Sequence, residues 1–188
     1  MLESNAEDEL RKLVAAFAGP KPLPAGGAAA VTAIAMGVGL GVKVLRLSCP
    51  GLPLHDQTTC DLEGLLDRLV PEFTADCRAF STLLAALRRA RNETGREADV
   101  AEAWRNATEV PIAVAVMGRE AEAFLSRCTS GVKPSIRADL EAALELVRAG
   151  RHIAERNARE NAQHLGPQLA SQLLAPLDGE YGRSPKES

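Results

Sequence analysis

Aromatic residues are scarce in this chain of 188 residues and make up only 3% of it. Antiparallel sandwiches and barrels draw on aromatic and β-branched side chains, so the scarcity counts against those folds. Alanine and leucine, which are strong helix formers, fill much of the sequence instead. The composition therefore predicts an all-α fold, and the length suits a single domain with its own core.

Basic clusters, metal-binding spacings and a secretory signal are also missing. The 22 basic and 25 acidic residues give a net charge of −3 without a basic block, so we expect no nucleic-acid partner. No CxxC pair or zinc-like histidine spacing occurs, so we expect no metal site and reduced thiols at Cys49, Cys60, Cys77 and Cys128. The acidic N-terminus does not resemble a signal peptide, and we expect a cytoplasmic protein.

One uncharged run, residues 25–42, is near the shortest length that spans a membrane. It consists mostly of small residues whose transfer into lipid is weakly favourable, so we interpret it as a buried packing helix and expect no membrane partner. Gly37 and Gly41 lie four residues apart, on a face that another helix could approach closely.

Apolar spacing predicts up to six helices in a bundle. They are a short helix through residues 10–17, followed by 28–48, 59–87, 98–127, 135–164 and 169–174. We expect a kink at Pro71, a bend at Pro111 and a loop over residues 49–58. Thr58 or Thr59 is the expected cap of the third helix, and Ser135 that of the fifth. The domain is predicted to cover residues 1–175, with a flexible tail at 176–188.

Asp76 lies beside the apolar seam of the third predicted helix, three residues after Phe73 and four before Phe80. Desolvation raises the pKa of a carboxyl group, which suits a residue that gives and takes protons near neutral pH. The spacing alone also allows a partly exposed carboxylate that pairs with a basic residue.

Two amides share a buried face of the fifth predicted helix, because Asn157 and Asn161 follow Ile153 at intervals of four. Buried amides need partners, so the pair either binds a polar ligand ring or ties helices together. Asp139 lies at the edge of the same face, near the helix start, where the helix dipole alone would favour an acidic residue.

Gly26 and Gly27 precede the second helix, where free backbone N–H groups can hold an anion or carboxylate. The segment is neither a Walker A loop nor a dinucleotide fingerprint. His55, His152 and His164 have no Ser or Cys partner in a recognisable motif, and we interpret them as surface or core histidines.

Five segments, in order, resemble the formimidoyltetrahydrofolate cyclodeaminase and methenyltetrahydrofolate cyclohydrolase family. Residues 22–35 resemble the family's Pro-Gly-Gly-Gly-Ser opening and Ala-rich helix, and residues 74–80 resemble its Asp-x-Asp-Ala-Glu-Ala-Phe/Tyr stretch. Residues 110–111, 137–140 and 157–161 are similar to its Val-Pro, Ser-Asp-Leu/Val and Asn-Val-x-x-Asn motifs. The resemblance covers roughly residues 8–165.

The resemblance implies a homodimeric helical bundle that acts on a tetrahydrofolate as substrate, without a separate cofactor or metal. The reaction is either cyclodeamination of 5-formiminotetrahydrofolate to 5,10-methenyltetrahydrofolate and ammonia, or hydrolysis of the methenyl bridge. By the same resemblance Asp76 is catalytic, and the substrate-binding residues are Gly26, Gly27, Asp139, Asn157 and Asn161.

Departures from the family pattern leave a second hypothesis open. Ala28 replaces a serine, Thr74 replaces an aspartate, and residues 48–56 lack the basic and aromatic residues that the family has there. The alternative is a catalytically degenerate member that acts as a small-ligand-binding or helical interaction protein.

Overall fold

The structure, a computed structural model, describes residues 2–48 and 53–179. They form seven α-helices without a strand: α1 Leu2–Ala18, α2 Gly26–Ser48, α3 Pro53–Leu69, α4 Glu72–Asn92, α5 Glu97–Arg127, α6 Arg137–Ala162 and α7 Pro167–Asp178. Two short 3-10 turns, Thr129–Gly131 and Pro134–Ile136, connect α5 to α6. The predicted all-α fold is confirmed.

The centre of the bundle is an antiparallel pair formed by α2 and α6, which approach closely because both carry glycine. A Cβ atom on Gly37 would lie 2.6 Å from the Ala143 carbonyl oxygen, and one on Gly150 would lie 2.6 Å from that of Ala30. Gly41 faces α5 instead, where its Cβ would meet Leu125 at 2.4 Å. Close packing at Gly37 and Gly41 is therefore confirmed, with a different partner helix for each.

Helix α2 is the one helix in the described residues that is long and apolar enough to cross a membrane. In the bundle 56% of its most apolar stretch is buried. Ile34 and Val38 are completely buried and Leu45 nearly so. The structure thus supports the interpretation of this helix as a core helix.

Pro71 ends a helix and does not merely kink it, which corrects the prediction for the third helix. Helix α3 ends at Leu69 and α4 begins at Glu72. Proline lacks the N–H that would continue the helix, and its ring restricts the preceding residue. The split raises the number of α-helices from six to seven. Pro111 lies inside an uninterrupted α5.

The predicted loop at 49–58 is wrong from residue 53 onward, since α3 begins at Pro53. Proline is favoured in the first helical turn because its fixed φ suits the helix and its missing N–H would have no partner there. Thr59 is inside the helix and donates its hydroxyl to the His55 carbonyl at 2.8 Å. Ser135 makes no cap, because Ile136 occupies that position. Residues 49–52 lie outside the described residues.

Helix α7 extends beyond the predicted domain boundary at residue 175. Leu177 is buried, and the Arg119 guanidinium donates to the carbonyls of Pro176 and Leu177. Residues 176–178 therefore belong to the packed domain. The rest of the predicted tail, residues 180–188, lies outside the described residues.

Candidate functional site

A cavity of about 200 Å³ opens at the end of the bundle where α2 begins and α6 approaches its end. It is lined by Ala25, Gly26, Gly27, Asp76, Ala79, Phe80, Ala107, Asn157, Glu160 and Asn161. Four helices contribute, which explains why residues from 25 to 161 meet in one place. Five of the six residues that the sequence singled out are among them.

Asp139 is the exception, and the structure places it apart from the other five. It lies in the first turn of α6, 18 residues before Asn157. At 1.5 Å per residue the two positions are about 27 Å apart along the helix. Within one subunit, Asp139 therefore does not share the cavity.

The Asp76 carboxylate reaches from α4 to the first turn of α2, and Gly27 makes this approach possible. A Cβ atom on Gly27 would lie 1.9 Å from Asp76 Oδ1. Burial raises the pKa of Asp76 above its usual range, and the backbone N–H of Ala28 offsets part of the increase by stabilising the ionised form. Among the described residues Asp76 has no basic partner, unlike the ion-paired alternative considered from the spacing.

Two neighbours of Asp76 on α4 also have raised pKa values. Burial raises the pKa of Glu72, which lies one turn earlier. Burial, and secondly the charge of Asp76, raise the pKa of the Cys77 thiol. A thiol with a raised pKa carries little thiolate at neutral pH, so Cys77 is poorly suited to act as a nucleophile.

The two amides of α6 have different partners. Asn161 Nδ2 donates to the Ala107 carbonyl at 2.7 Å, which ties α6 to α5 and leaves the Asn161 side-chain oxygen as an acceptor. Asn157 Nδ2 lies 3.3 Å from a Cβ built on Gly26, and its amide makes no hydrogen bond with the described residues. Asn161 thus ties two helices together, whereas the donors and the acceptor of Asn157 have no partner among the described residues.

The start of α2 adds backbone donors to the cavity. The first hydrogen bond of the helix runs from the Ala29 N–H to the Ala25 carbonyl at 3.0 Å. The N–H groups of Gly26 and Gly27 precede it and have no intrahelical partner. A ligand carbonyl or developing anion in the cavity can accept from these groups.

Sequence reasoning did not assign five of the lining residues to the site: Ala25, which adjoins Gly26, and Ala79, Phe80, Ala107 and Glu160. Ala79 and Phe80 follow Asp76 by three and four residues, and Glu160 follows Asn157 by three. Residues at these intervals share a helix face, so this spacing was an available signal. Ala107 carries no such signal, because it comes from a different helix.

The three histidines lie outside the cavity lining. His55 is buried near Gly131, and His152 Nε2 lies 3.0 Å from Arg151 Nη2. The His164 ring stacks on Trp104, with the ring centres 3.8 Å apart. Their interpretation as core or surface histidines is consistent with these positions.

Comparison with known proteins places this arrangement in a family. The fold is similar to the crystal structure of formiminotetrahydrofolate cyclodeaminase from Thermotoga maritima, with a TM-score of 0.81 over 90% of this chain and 86% of that one. The sequence identity is 20%, so this likeness concerns the fold alone. The sequence description of the formiminotransferase-cyclodeaminase family matches residues 9–173. This chain belongs to the formiminotransferase-cyclodeaminase family.

The family match includes every residue that lines the cavity, from Ala25 to Asn161. The suspected membership in the cyclodeaminase family is therefore confirmed. A search of curated proteins returned no relative of this chain.

Proposed function

We propose that this protein converts the one-carbon unit of a tetrahydrofolate, with Asp76 as the group that moves the proton. The observation that carries the proposal is the meeting of Asp76, Asn157 and the N–H groups at the start of α2 in one cavity. Burial raises the pKa of Asp76 above its usual range, which makes the carboxylate a better proton acceptor than an exposed aspartate.

In the cyclodeaminase reaction, N10 of 5-formiminotetrahydrofolate attacks the carbon of the formimino group, whose terminal nitrogen is protonated. Ionised Asp76 removes the N10 proton and returns it to the leaving nitrogen. Ammonia departs, and the cationic 5,10-methenyl bridge remains. Charge and atoms balance without any further reactant.

In the cyclohydrolase reaction, water adds to the methenyl carbon while Asp76 accepts a proton from it. The tetrahedral product then opens as one carbon–nitrogen bond breaks and the freed nitrogen takes up a proton. The overall change is the addition of one water to the methenyl cation and the release of one proton.

Both reactions involve a positively charged one-carbon unit, and the acidic side chains of the cavity complement this charge. Asp76 and Glu160 are carboxylic acids, and the described lining contains no Lys or Arg. An ionised carboxylate beside a delocalised cation stabilises it in a partly dry site. Because only protons, water or ammonia are exchanged, we propose that the folate is the substrate and that no separate cofactor or metal takes part.

The test uses purified protein with 5,10-methenyltetrahydrofolate and, separately, 5-formiminotetrahydrofolate, and follows the absorbance of the methenyl group. Asp76→Asn is expected to lower kcat by about 10²–10⁴-fold, the usual contribution of a general acid or base. Asp67→Asn changes an exposed aspartate on α3 and serves as the matched control. Absence of turnover by the wild type with either substrate would refute the proposal.

The alternative is a degenerate member that binds a ligand or a protein without catalysis. Two of the departures that suggest this alternative leave the cavity lining unchanged. Ala28 is completely buried and Thr74 is exposed, and neither lines the cavity. Ligand binding measured by calorimetry, in the absence of turnover, would favour this alternative over the enzyme.

We further propose that two copies associate through an exposed apolar face of α2 and α6. Met36 is 63% exposed and Leu146 is 38% exposed. Gly37 and Val147 contact each other between the two helices, and Met36 and Leu146 each come one residue before them. One residue back along a helix is a rotation of about 100°. Because the helices are antiparallel, this rotation places Met36 and Leu146 on the same side of the pair. A second copy would cover this face by twofold symmetry.

We also propose a cytoplasmic location. The described cysteines Cys60, Cys77 and Cys128 are all free thiols. Unpaired thiols are usual in reducing compartments such as the cytoplasm.

A further inference from the structure

Glu160 contributes to the cavity a carboxylate that pairs with none of the described residues. It lies between Asn157 and Asn161 on α6, is solvent-exposed, and lines the same cavity as Asp76. Its side chain forms neither a hydrogen bond nor an ion pair with the described residues. Both carboxylate oxygens therefore remain available as acceptors for a ligand.

The polar groups that surround Glu160 are mostly acceptors. Besides its own two oxygens, the side-chain oxygens of Asn157 and Asn161 can accept, because neither takes part in a hydrogen bond among the described residues. The donors are Asn157 Nδ2, the one N–H of Asn161 Nδ2 that the Ala107 carbonyl does not use, and the backbone N–H groups at the start of α2. A complementary ligand presents several N–H groups and a smaller number of oxygen acceptors.

The size of the cavity restricts which part of a folate can enter. Its volume of about 200 Å³ is below the roughly 300–1,000 Å³ of sites that enclose a drug-sized ligand. A ring head group can be enclosed while the rest of a folate stays outside. The benzoyl-glutamate end carries carboxylates, which Glu160 would repel, so the pterin is the end that fits.

We propose that Glu160 recognises the edge of the pterin ring formed by its 2-amino group and N3–H. These adjacent donors match the two oxygens of one carboxylate in a paired hydrogen bond. Glu160 is then a binding and specificity residue that touches the substrate away from the reacting carbon. The inference rests on the proposed folate reaction and adds to it the residue that selects the pterin.

The experiment compares two ligands and three proteins by calorimetry. The ligands are 5-formyltetrahydrofolate, which is stable, and its analogue without the 2-amino group. The proteins are the wild type, Glu160→Gln and the control Glu145→Gln, which alters an exposed glutamate on the same helix. Glutamine puts an NH₂ group where an acceptor is needed, so Glu160→Gln is expected to weaken binding of the natural ligand about 10–100-fold.

Binding of the 2-desamino analogue is expected to change much less in Glu160→Gln, because one of the two donors is already missing. With a turned-over substrate, KM should rise by a larger factor than kcat falls. The assignment is overturned if Glu160→Gln binds the natural ligand as the wild type does, or if it loses the same factor for both ligands. A wild type that neither binds nor turns over any tetrahydrofolate overturns the proposed function itself, which is a distinguishable outcome.

Discussion

Asp76 occupies a position in which ionisation opposes folding. Burial raises the pKa of its carboxyl group, and the nearby Ala28 N–H only partly offsets the effect. Above the folded pKa, the folded protein therefore holds a carboxylate that would be better solvated in the unfolded chain. Such unfavourable placement is common where a titrating group takes part in chemistry.

We predict that Asp76→Asn stabilises the folded protein at neutral pH while it removes activity. Because the folded pKa is raised, the folded state binds the proton more tightly, and the free energy of unfolding falls as pH rises from the unfolded to the folded pKa. Asparagine does not titrate there and can still accept from Ala28. Urea unfolding should show a gain at neutral pH that shrinks as pH approaches 3.8, the usual value for Asp. A less stable variant at neutral pH would contradict this.

A second prediction concerns Gly27, which leaves room for the carboxylate. Gly27→Ala places a Cβ 1.9 Å from Asp76 Oδ1, so we expect a loss of about 1–3 kcal/mol in unfolding free energy and a loss of activity. Gly39→Ala is the matched control, because its Cβ would meet nothing within 4 Å. There the better helix propensity of alanine should add up to about 1 kcal/mol.

The cause of the Gly27 effect can be isolated in a double variant. In an Asp76→Ala background the atoms that obstruct the new methyl group are absent, so Gly27→Ala should no longer destabilise. Chemical denaturation of the four proteins gives the coupling directly. Equal losses in both backgrounds would show that the methyl group disturbs α2 in some other way.

Helical spacing selects Asp76, because position on one helix face is local information. For Asn157 and Asn161 the premise is wrong, since Ile153, which is predicted to mark a buried face, is 37% exposed, although both amides line the cavity. Their meeting with Gly26 and Gly27 depends on how α2, α4 and α6 pack, which periodicity does not contain. Asp139 shows the limit: its spacing placed it on an apolar face, but its position at the far end of a 26-residue helix separates it from the cavity.

At the level of helices, each of the six predicted segments corresponds to helical chain, but two bounds are too short: α1 begins at Leu2 rather than near residue 10, and α4 continues to Asn92 rather than ending near residue 87. The other large errors lie at prolines. The sequence predicts a loop at Pro53, which is well placed in a first helical turn, and a kink at Pro71, which ends a helix. It predicts a tail at Pro176, whereas contacts made by Arg119 hold this residue in α7. Whether a proline starts, ends or is tolerated by a helix depends on tertiary partners.

The attachment of α7 provides a third prediction. Arg119 donates to Glu155 at 2.8 Å and also to the carbonyls near the end of α7, and its side chain is only 17% exposed. Arg119→Met should free the last turns of α7 and weaken its attachment by about 1–2 kcal/mol. Hydrogen exchange of the α7 amides should accelerate before that of the core helices. Unchanged exchange in α7 would contradict this role.

The control is another arginine that reaches the same helix from the surface. Arg159 pairs with Asp178 at 2.7 Å, but the two side chains are 47% and 58% exposed. Its change to Met should cost less than about 1 kcal/mol.

Burial alone would raise the pKa of Glu155, yet hydrogen bonds from Arg119 and Arg151 lower it. The contribution of Glu155 is thus present above its unfolded pKa and is lost as pH falls through the folded value.

On the scale of the whole molecule, the α2–α6 pair has one covered and one open side. Ile34 and Val147 are completely buried between the helices and the rest of the bundle. On the open side Leu47 is 51% exposed and Ile153 is 37% exposed, in line with Met36 and Leu146. Lys43, seven residues after Met36 on the same face, is exposed and interrupts this apolar stripe. An exposed apolar stripe on a central helix pair is nevertheless typical of a surface that a second protein copy covers.

The fourth prediction is that this protein forms a dimer, which charge on the open face disrupts. By light scattering after size exclusion, the wild type should have about twice the 19.9 kDa of one chain. Met36→Glu and Leu146→Glu each bury a charge between the copies and should weaken association at least about tenfold. Both sites are exposed in one subunit, so circular dichroism should show intact helices.

Val70→Glu is the matched control for the dimer, since Val70 is 55% exposed at the junction of α3 and α4, away from the α2–α6 stripe. It adds the same charge in place of an apolar side chain and should leave the dimer intact. If all three variants dissociate alike, added negative charge rather than the α2–α6 face governs association. If the wild type has the mass of one chain at micromolar concentration, the stripe is not a self-association surface.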